Sequence, residues 1–217
     1  MKIVAHTQST IEVDGNQLTL PQFIVYVARV SNPENQSNVL TYSKLLNYLI
    51  KNKHFSPLEM ASIQMEIKTT RDISRQILRH DMNFQEASQR YSDPRELGFV
   101  IRETRLQDPK NRQNSLENID TDLDRMWRKD QENVLRLARK VYGKYKDLGL
   151  AKEQLRAILP EGLTMTTLYI SANMRSWLHY CQLRMTDGTQ KEHRDIATKA
   201  WDAITTMYPD FKNIQMG

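Results

Sequence analysis

The chain has 217 residues, 39% of them hydrophobic and 26% charged, which is enough apolar sequence to bury a substantial core in one domain spanning residues 1–217. Its net charge of +5 and isoelectric point near 9.2 favour anionic partners, either nucleic acid or phosphorylated small molecules, without choosing between them. The single cysteine, Cys181, excludes an internal disulfide and a cysteine-based zinc cluster, so we predict no metal site and a reducing, cytoplasmic environment.

From the N-terminus, His6 comes too early for a signal-peptide core, and no later apolar run could span a membrane. Between residues 61 and 68, Ile63, Met65 and Ile67 alternate with polar residues, which is typical of a strand with one buried face. In chain order, we predict a strand over 1–13 that ends at the turn 14–16, helices over 21–30 and Tyr42–Lys51, the 61–68 strand, and a helix that starts at 70–72 and includes 76–80.

The second half contains the longest predicted helix, residues 121–148, in which apolar residues recur every three or four positions until Gly149 ends it. Helices and strands alternate without the regular βαβ order of a dinucleotide-binding domain, and no Gly-x-Gly-x-x-Gly sequence is present. We therefore predict an α+β fold in which helices pack around a small, mainly antiparallel or mixed sheet. The remaining predicted elements are a strand over 99–107, a polar loop or lid over 108–118, a helix over 152–159, a strand over 163–172, and helices over 173–185 and 190–207.

The 173–185 helix carries an apolar row that we assign to the core. Because Cys181 belongs to this row, the only cysteine is a poor candidate for a catalytic nucleophile. Arg184 stands at the end of the helix, where the helix dipole alone would favour a cation, and His179 is equally consistent with a structural histidine. The apolar row consists of Met174, Trp177, Leu178, Cys181 and Met185.

Residues 76–92 concentrate many different functional groups in a short stretch. Two guanidinium groups with amide donors suit a phosphate, or a planar heterocycle that bears carbonyl oxygens. For any one of these residues, the alternative is a solvated helix end followed by a polar loop. The groups are Gln76, Arg79 and His80, spaced to share one face of a helix, and then Glu86, Ser88 and Arg90 in the loop that follows.

The sequence Arg79-His80, a spacer and then Ser88-Gln-Arg-Tyr91 resembles the signature of the flavin-dependent thymidylate synthases, which is Arg-His-Arg, seven residues and Ser. Further segments at 28–33, 54–59, 110–115, 151–160 and 183–190 resemble the same family in order and spacing, and the second half is most similar to viral members. One departure is that Asp81 follows His80 and the segment is one residue shorter, so the third arginine is missing. This change implies weaker flavin binding or a different loop over the cofactor.

The resemblance implies reductive methylation of dUMP to dTMP, with methylenetetrahydrofolate as carbon donor, FAD as hydride carrier and NADPH as reductant. It also implies a homotetramer with shared active sites, located in the cytoplasm, or the host cytoplasm if the source is viral. Arg184 would be catalytic, polarising the pyrimidine. Around dUMP the resemblance places Gln76, Arg79, Glu86, Ala87, Ser88, Gln89, Arg90, Arg156 and Arg184, and around the flavin it places His54, Ser56, Glu59, Arg79, His80, Glu86, Asn173, Arg175 and His179.

Two other interpretations stay open at this point. The missing arginine suggests a related flavoenzyme that modifies C5 of a pyrimidine nucleotide differently, or one that is only weakly active. The basic run 136–146 suggests a non-catalytic nucleic-acid-binding protein, although such a run is more often a solvated helix face, and we do not expect a nucleic-acid partner.

Overall fold

The computed structural model describes residues 1–214. Its regular elements alternate along the chain between short strands and helices of very different lengths. In order they are β1 (Lys2–His6), β2 (Glu12–Val13), β3 (Asn16–Gln17), α1 (Leu20–Ala28), α2 (Tyr42–Lys51), β4 (Ser62–Thr70), α3 (Arg71–Ile77), β5 (Asn83–Glu86), α4 (Pro94–Leu97), β6 (Arg105–Gln107), β7 (Ser115–Glu117), α5 (Thr121–Asp147), α6 (Lys152–Leu155), β8 (Met165–Asn173), α7 (Met174–Arg184) and α8 (Lys191–Met207). Short 3₁₀ turns cover Pro33–Asn35, Ser56–Met60, Arg156–Ile158 and Pro209–Phe211.

The central sheet has four strands in the order β1-β4-β8-β5, and all its neighbouring strands are antiparallel. The predicted alternation in β4 is confirmed, because Ile63, Met65 and Ile67 are buried against the helices while the residues between them are not. The α+β class and the mainly antiparallel sheet predicted from the sequence are therefore confirmed. Within residues 1–214, no helix is both long and apolar enough to cross a membrane.

Helix α7 is fixed to the sheet through its apolar row. Trp177 is fully buried, and its Nε1 donates a hydrogen bond to the backbone oxygen of Ile63 on β4 at 3.0 Å. Cys181 is also fully buried, and burial raises the pKa of its thiol far above the ordinary value. Tyr180, which the sequence places off the row, is buried as well because α8 covers that side of the helix. Buried side chains and a hydrogen bond therefore hold α7 against the sheet.

Two boundaries in the central stretch differ from prediction. Helix α3 ends at Ile77, where the backbone N–H of His80 donates back to the oxygen of Ile77 at 3.1 Å in a tight turn. Arg79 and His80 therefore lie beyond the helix, and the predicted common helical face with Gln76 is wrong. Strand β5 forms inside the expected polar loop because it pairs with β8, from Asn83 opposite Ser171 onward.

The region before α5 also differs from prediction, with a shorter strand and a more ordered loop than expected. The expected 99–107 strand is reduced to β6, and Phe99 makes only an isolated bridge with Thr164. Strand β7 pairs with β6, so most of the expected lid is the turn of a hairpin. Ion pairing of Arg102 with Asp72 at 2.8 Å holds the segment before β6 against α3.

Helix α5 has the predicted extent, with Asp120 capping its first turn and Gly149 (φ +83°) following its end. It packs on the protein through a narrow face of buried residues. The apolar positions that reveal the helix in the sequence are largely exposed, for example Trp127 at 45%, Leu137 at 63% and Leu148 at 70%. The helix therefore leaves an apolar row uncovered in the single chain. The buried face consists of Gln131, Leu135, Ala138 and Tyr142.

Candidate active site

Arg184, the last residue of α7, is held by His80. Its Nε donates a hydrogen bond to Nε2 of His80 at 2.9 Å, which requires that ring nitrogen to be an unprotonated acceptor. Burial lowers the pKa of His80 to about 4, and the positive charge of Arg184 acts in the same direction. His80 is therefore neutral near pH 7. Within residues 1–214 the terminal nitrogens of Arg184 make no hydrogen bond, so they are available to a ligand.

The His80 ring is positioned by aromatic side chains of the core. It lies edge-on to Tyr180, with 4.8 Å between ring centroids, and Tyr180 in turn lies edge-on to Trp177 at 6.0 Å. Burial raises the pKa of Tyr180 far above its ordinary value, so the phenol stays neutral beside the guanidinium. Arg184 is thus oriented by a buried neutral stack rather than by a carboxylate.

Gln76 lies on α3 close to the same group. Its Oε1 is 3.1 Å from Nδ1 of His193 on α8, and its Nε2 donates to Oε1 of Gln190 at 2.8 Å. The rings of His193 and His80 are 6.2 Å apart. Gln76, His80 and Arg184 therefore form one group around the start of α8, which we call the core-side group.

A cavity of about 530 Å³ opens next to His80. Phe55 and Leu178 contribute apolar walls, and amide and charged groups surround them, an arrangement that suits a planar heteroaromatic ring bearing oxygens. The guanidinium of Arg175 is ion-paired with Glu59 and lies 5.9 Å from the ring centroid of Phe55. Five residues predicted to contact the flavin line this cavity, namely Glu59, His80, Asn173, Arg175 and His179.

Three other predicted flavin residues adjoin lining residues in the sequence without lining the cavity themselves. His54 is exposed, with its ring edge-on to Tyr48 at 5.9 Å, and Ser56 begins the 3₁₀ turn that contains Glu59. Arg79 is exposed and makes no hydrogen bond or ion pair within residues 1–214. Asp81, which stands where the family signature continues with arginine, does line the cavity. The sequence departure is therefore located in the candidate cofactor site.

Glu86 lies apart from this cavity in a polar cluster of its own. Its Oε1 accepts hydrogen bonds from Ser74 Oγ at 2.9 Å and Thr166 Oγ1 at 3.0 Å. The guanidinium groups of Arg71 and Arg75 approach its carboxylate to 3.3 and 3.8 Å. Sequence reasoning missed both arginines, although their i, i+4 spacing on α3 places them on one face. These contacts fix the position of the Glu86 carboxylate.

Residues 87–92 form a separate surface loop. The backbone N–H of Ala87 donates to Thr167 at 2.9 Å, which ends β5, and Gln89 is buried. Arg90 pairs with Glu153 at 3.2 Å, and both side chains are largely exposed. Ser88 accepts on its backbone oxygen from the N–H of Tyr91 and Ser92, both at 3.1 Å, so the loop folds into a compact turn.

Arg156 stands one turn beyond Glu153 and is exposed, and its side chain makes no hydrogen bond or ion pair in the part of the chain that the structure describes. We call Ser88, Arg90 and Arg156 the loop-side group. Within residues 1–214, no hydrogen bond or ion pair joins the core-side and loop-side groups. A single chain thus assembles each of the two halves of the predicted site, but no hydrogen bond or ion pair among its described residues connects one half to the other.

The α+β fold thus carries a preorganised guanidinium beside a cavity of mixed polarity, a site that can accept a planar, oxygen-bearing ring, while the cysteine of the chain is buried away from it. Comparison with known proteins identifies the family. The sequence model described as "Thymidylate synthase complementing protein" matches residues 17–210. The chain therefore belongs to this family, that of the flavin-dependent thymidylate synthases.

Relatives agree over nearly the whole length. A probable flavin-dependent thymidylate synthase of Paramecium bursaria Chlorella virus 1 is 42% identical over 209 residues, covering 96% of this chain and 94% of the relative. A flavin-dependent thymidylate synthase of Synechocystis is 41% identical over 210 residues, covering 96% and 95%. The structure of the UMP/dUMP methylase PolB from Streptomyces cacaoi, bound with 5-Br dUMP, has a TM-score of 0.79 at 22% identity, covering 100% and 95%, and it supports the fold. The predicted family and enzyme class are confirmed.

Proposed function

We propose that this chain converts dUMP to dTMP by reductive methylation, with methylenetetrahydrofolate as carbon donor, FAD as cofactor and NADPH as reductant. The observation that carries the proposal is the pairing of Arg184 with a neutral His80 that also lines the 530 Å³ cavity. The guanidinium of Arg184 therefore has unused donors, and only the His80 ring separates it from a cavity that suits a flat ring. We further propose that residues 1–217 act as one domain in the cytoplasm, consistent with a buried, unpaired Cys181.

Activation of the pyrimidine falls to Arg184. C5 of uracil is a poor nucleophile, and the buried thiol of Cys181 cannot reach C6 to activate it covalently. Guanidinium donors aimed at the ring oxygens favour the enolate-like form, in which C5 carries more negative charge. A preorganised donor of this kind contributes ~3 kcal/mol to transition-state stabilisation. Ser88 is exposed on the loop and is proposed to orient the substrate, not to attack it.

The cavity residues would hold the flavin. When bound, FAD supplies the hydride chemistry, which no side chain can provide. Phe55 and Leu178 would contact the apolar part of the ring system, while Asn173, Arg175 and His179 offer polar contacts around it. His54 and Ser56 would meet the exposed edge, near the folate, and Arg79 and Glu86 would contact both ligands where the two halves of the site meet.

The loop-side group would bind the nucleotide together with Gln76. Arg90 follows residues 87–89 directly, and Arg156 lies one turn beyond Glu153, the partner of Arg90; both are exposed cations, which suits an anionic phosphate. Within residues 1–214 of a single chain this group has no hydrogen bond to Arg184, and we take the two groups of one complete site to come from different copies. We therefore propose the predicted homotetramer, and the uncovered apolar row of α5, with Trp127, Leu137 and Leu148, supports burial against another copy.

Product analysis tests the proposal. The purified protein should be yellow, and after reduction with NADPH it should convert dUMP and methylenetetrahydrofolate to dTMP, identified by mass spectrometry. A different C5-substituted nucleotide would favour the related flavoenzyme instead. Light scattering of the same sample should give about four times the mass of the 25.5 kDa chain.

The nucleic-acid alternative rests on the basic run of α5, and the structure provides several intramolecular partners for it. Lys146 pairs with Asp93 at 2.8 Å, and the guanidinium of Arg139 lies 4.6 Å from the ring centroid of Phe99. These contacts engage two cations of the run within the chain itself. A steep loss of affinity for DNA or RNA with rising salt, in a sample that contains no flavin, would favour this alternative.

A further inference from the structure

A line of four side chains joined by hydrogen bonds runs beside the core-side group. Gln190 Nε2 donates to Glu192 Oε2 at 2.9 Å, and Gln76 Nε2 donates to Gln190 Oε1 at 2.8 Å. The line ends at His193, whose Nδ1 lies 3.1 Å from Gln76 Oε1. Two of its members are amides, which could in principle point either way.

The carboxylate at one end fixes the direction of every bond. Glu192 is ion-paired with Arg102 at 2.8 Å; burial opposes its ionisation, but a backbone hydrogen bond and the charge of Arg102 keep its pKa below the ordinary value. An ionised carboxylate can only accept, so Gln190 must turn its N–H towards Glu192 and its oxygen towards Gln76. Gln76 then has to donate to Gln190 and present its oxygen to His193. The proton of His193 must therefore be on Nδ1.

His193 has no second polar contact that would explain its presence. Its ring is fully buried, and its Nε2 has no hydrogen-bond partner within residues 1–214. Burial lowers the pKa of His193 to about 3, with Arg184 and His80 acting in the same direction, so the ring is neutral and carries one N–H. An apolar side chain would fill this site without leaving a buried nitrogen unpaired. What the histidine adds is the single N–H that it gives to Gln76.

The consequence appears at the carboxamide of Gln76. Because His193 bonds to its oxygen and Gln190 accepts one N–H, the carboxamide cannot flip, and the second N–H is the donor left for a ligand. We propose that His193 is a positioning residue that locks Gln76 as a donor towards an oxygen of dUMP, carbonyl or phosphate. This inference rests on the proposed function, in which Gln76 contacts dUMP, and it deepens that function by naming the residue that orients Gln76.

Three substitutions at one position test the lock. An asparagine side chain can place an N–H where Nδ1 of histidine stands, glutamine places it near Nε2, and leucine places none. In flavin-loaded protein, His193→Leu and His193→Gln should each weaken dUMP binding roughly tenfold in calorimetry and raise KM equally, with kcat within about twofold. His193→Asn should stay within about threefold of the wild type. Thermal unfolding checks that each variant is folded.

A double-mutant comparison separates positioning from packing. If His193 acts through Gln76, then His193→Leu should have no further effect on dUMP affinity in a Gln76→Ala background. Additive losses, or an asparagine variant as weak as the leucine variant, would overturn the inference. Failure of the wild type to bind dUMP or form dTMP would instead overturn the proposed function. If the wild type binds dUMP and forms dTMP, and His193→Leu has unchanged dUMP affinity, then only the positioning role of His193 is rejected.

Discussion

The two halves of the site use arginine in opposite ways. Arg184 is tied to a neutral imidazole, which stands against Tyr180 and Trp177 of the core. Arg156 is exposed on a 3₁₀ turn, and its side chain makes no hydrogen bond or ion pair in the described part of the chain. The first guanidinium has its geometry before any ligand arrives. The second obtains its geometry only from a ligand or from another copy of the chain.

This difference assigns the two groups to different steps. A side chain that is already ordered gives up little rotamer entropy when the substrate binds, so its donors can act in full on the developing charge. A free arginine loses ~2 kcal/mol of side-chain entropy on being fixed, which reduces its contribution to affinity. We therefore expect Arg184 to control the rate, and the loop-side group together with Gln76 to control binding.

The largest expected effect is on the rate, from Arg184→Ala. Removing the proposed donor should lower kcat roughly 100-fold to 1000-fold, because the enolate-like form loses its stabilisation. Flavin content should be nearly unchanged, since Arg184 does not line the cavity. Single-turnover kinetics, with the flavin-to-protein ratio read from absorbance, measure both quantities.

The matched control is Arg125→Ala, which removes an exposed arginine paired only with Asp122 at 2.7 Å on α5. It should stay within about twofold of the wild type in both measurements. If Arg184→Ala instead lost the flavin and kept a normal rate per bound flavin, its assignment to the pyrimidine would be wrong.

A smaller effect, and on affinity, is expected from Arg156→Ala. Loss of a charge-assisted hydrogen bond to the nucleotide should raise KM for dUMP roughly thirtyfold and leave kcat within about threefold. Steady-state kinetics at saturating folate separate the two constants. Equal KM and a kcat as low as that of Arg184→Ala would show that both groups act on the same step, and the division between them would not hold.

The same division explains which elements could be predicted from sequence. Strand β4 and helix α5 were predicted because their signals are local, namely alternation around Met65 and apolar residues at helical spacing that end before Gly149. Strand β5 was missed because its only stabilising partner is β8, far along the chain. The exposure of the α5 row could not be predicted from the sequence either, because periodicity shows that a helix face is apolar but not whether another element covers it.

The site divides in a similar way. Resemblance to the family pointed to Arg184 and His80 individually but not to the hydrogen bond between them. That bond joins positions 104 residues apart, and a local sequence pattern cannot predict such a contact. His193 was not predicted, because a histidine on the apolar side of α8 looks like any core residue. Its role depends on the direction of hydrogen bonds that start at Glu192, which only the folded arrangement defines.

A further test uses pH, because His80 of the core-side group and the neighbouring His193 both have lowered pKa values. The pKa values of His80 and His193 fall from 6.5 to about 4 and about 3, so unfolding makes both rings more basic. Stability from this source is complete above about pH 6.5 and declines as pH falls towards the folded values. The wild type should therefore lose thermal stability between about pH 7 and pH 5, and His193→Leu should lose less. Parallel curves for the two proteins would mean that His193 is not held neutral.

The smallest expected effect concerns the missing arginine of the family signature. Asp81 lines the cavity together with Glu59, whose charge is balanced by Arg175, so its carboxylate disfavours an anionic cofactor. Because Asp81 is exposed, screening limits the change: Asp81→Asn should tighten FAD about threefold and Asp81→Arg up to about tenfold, less at high salt. Equilibrium titration of the apoprotein with FAD at two ionic strengths measures this. Unchanged affinity in both variants would mean that the shorter loop holds the side chain at position 81 away from the cofactor, and that the departure from the signature is one of backbone path, not of charge.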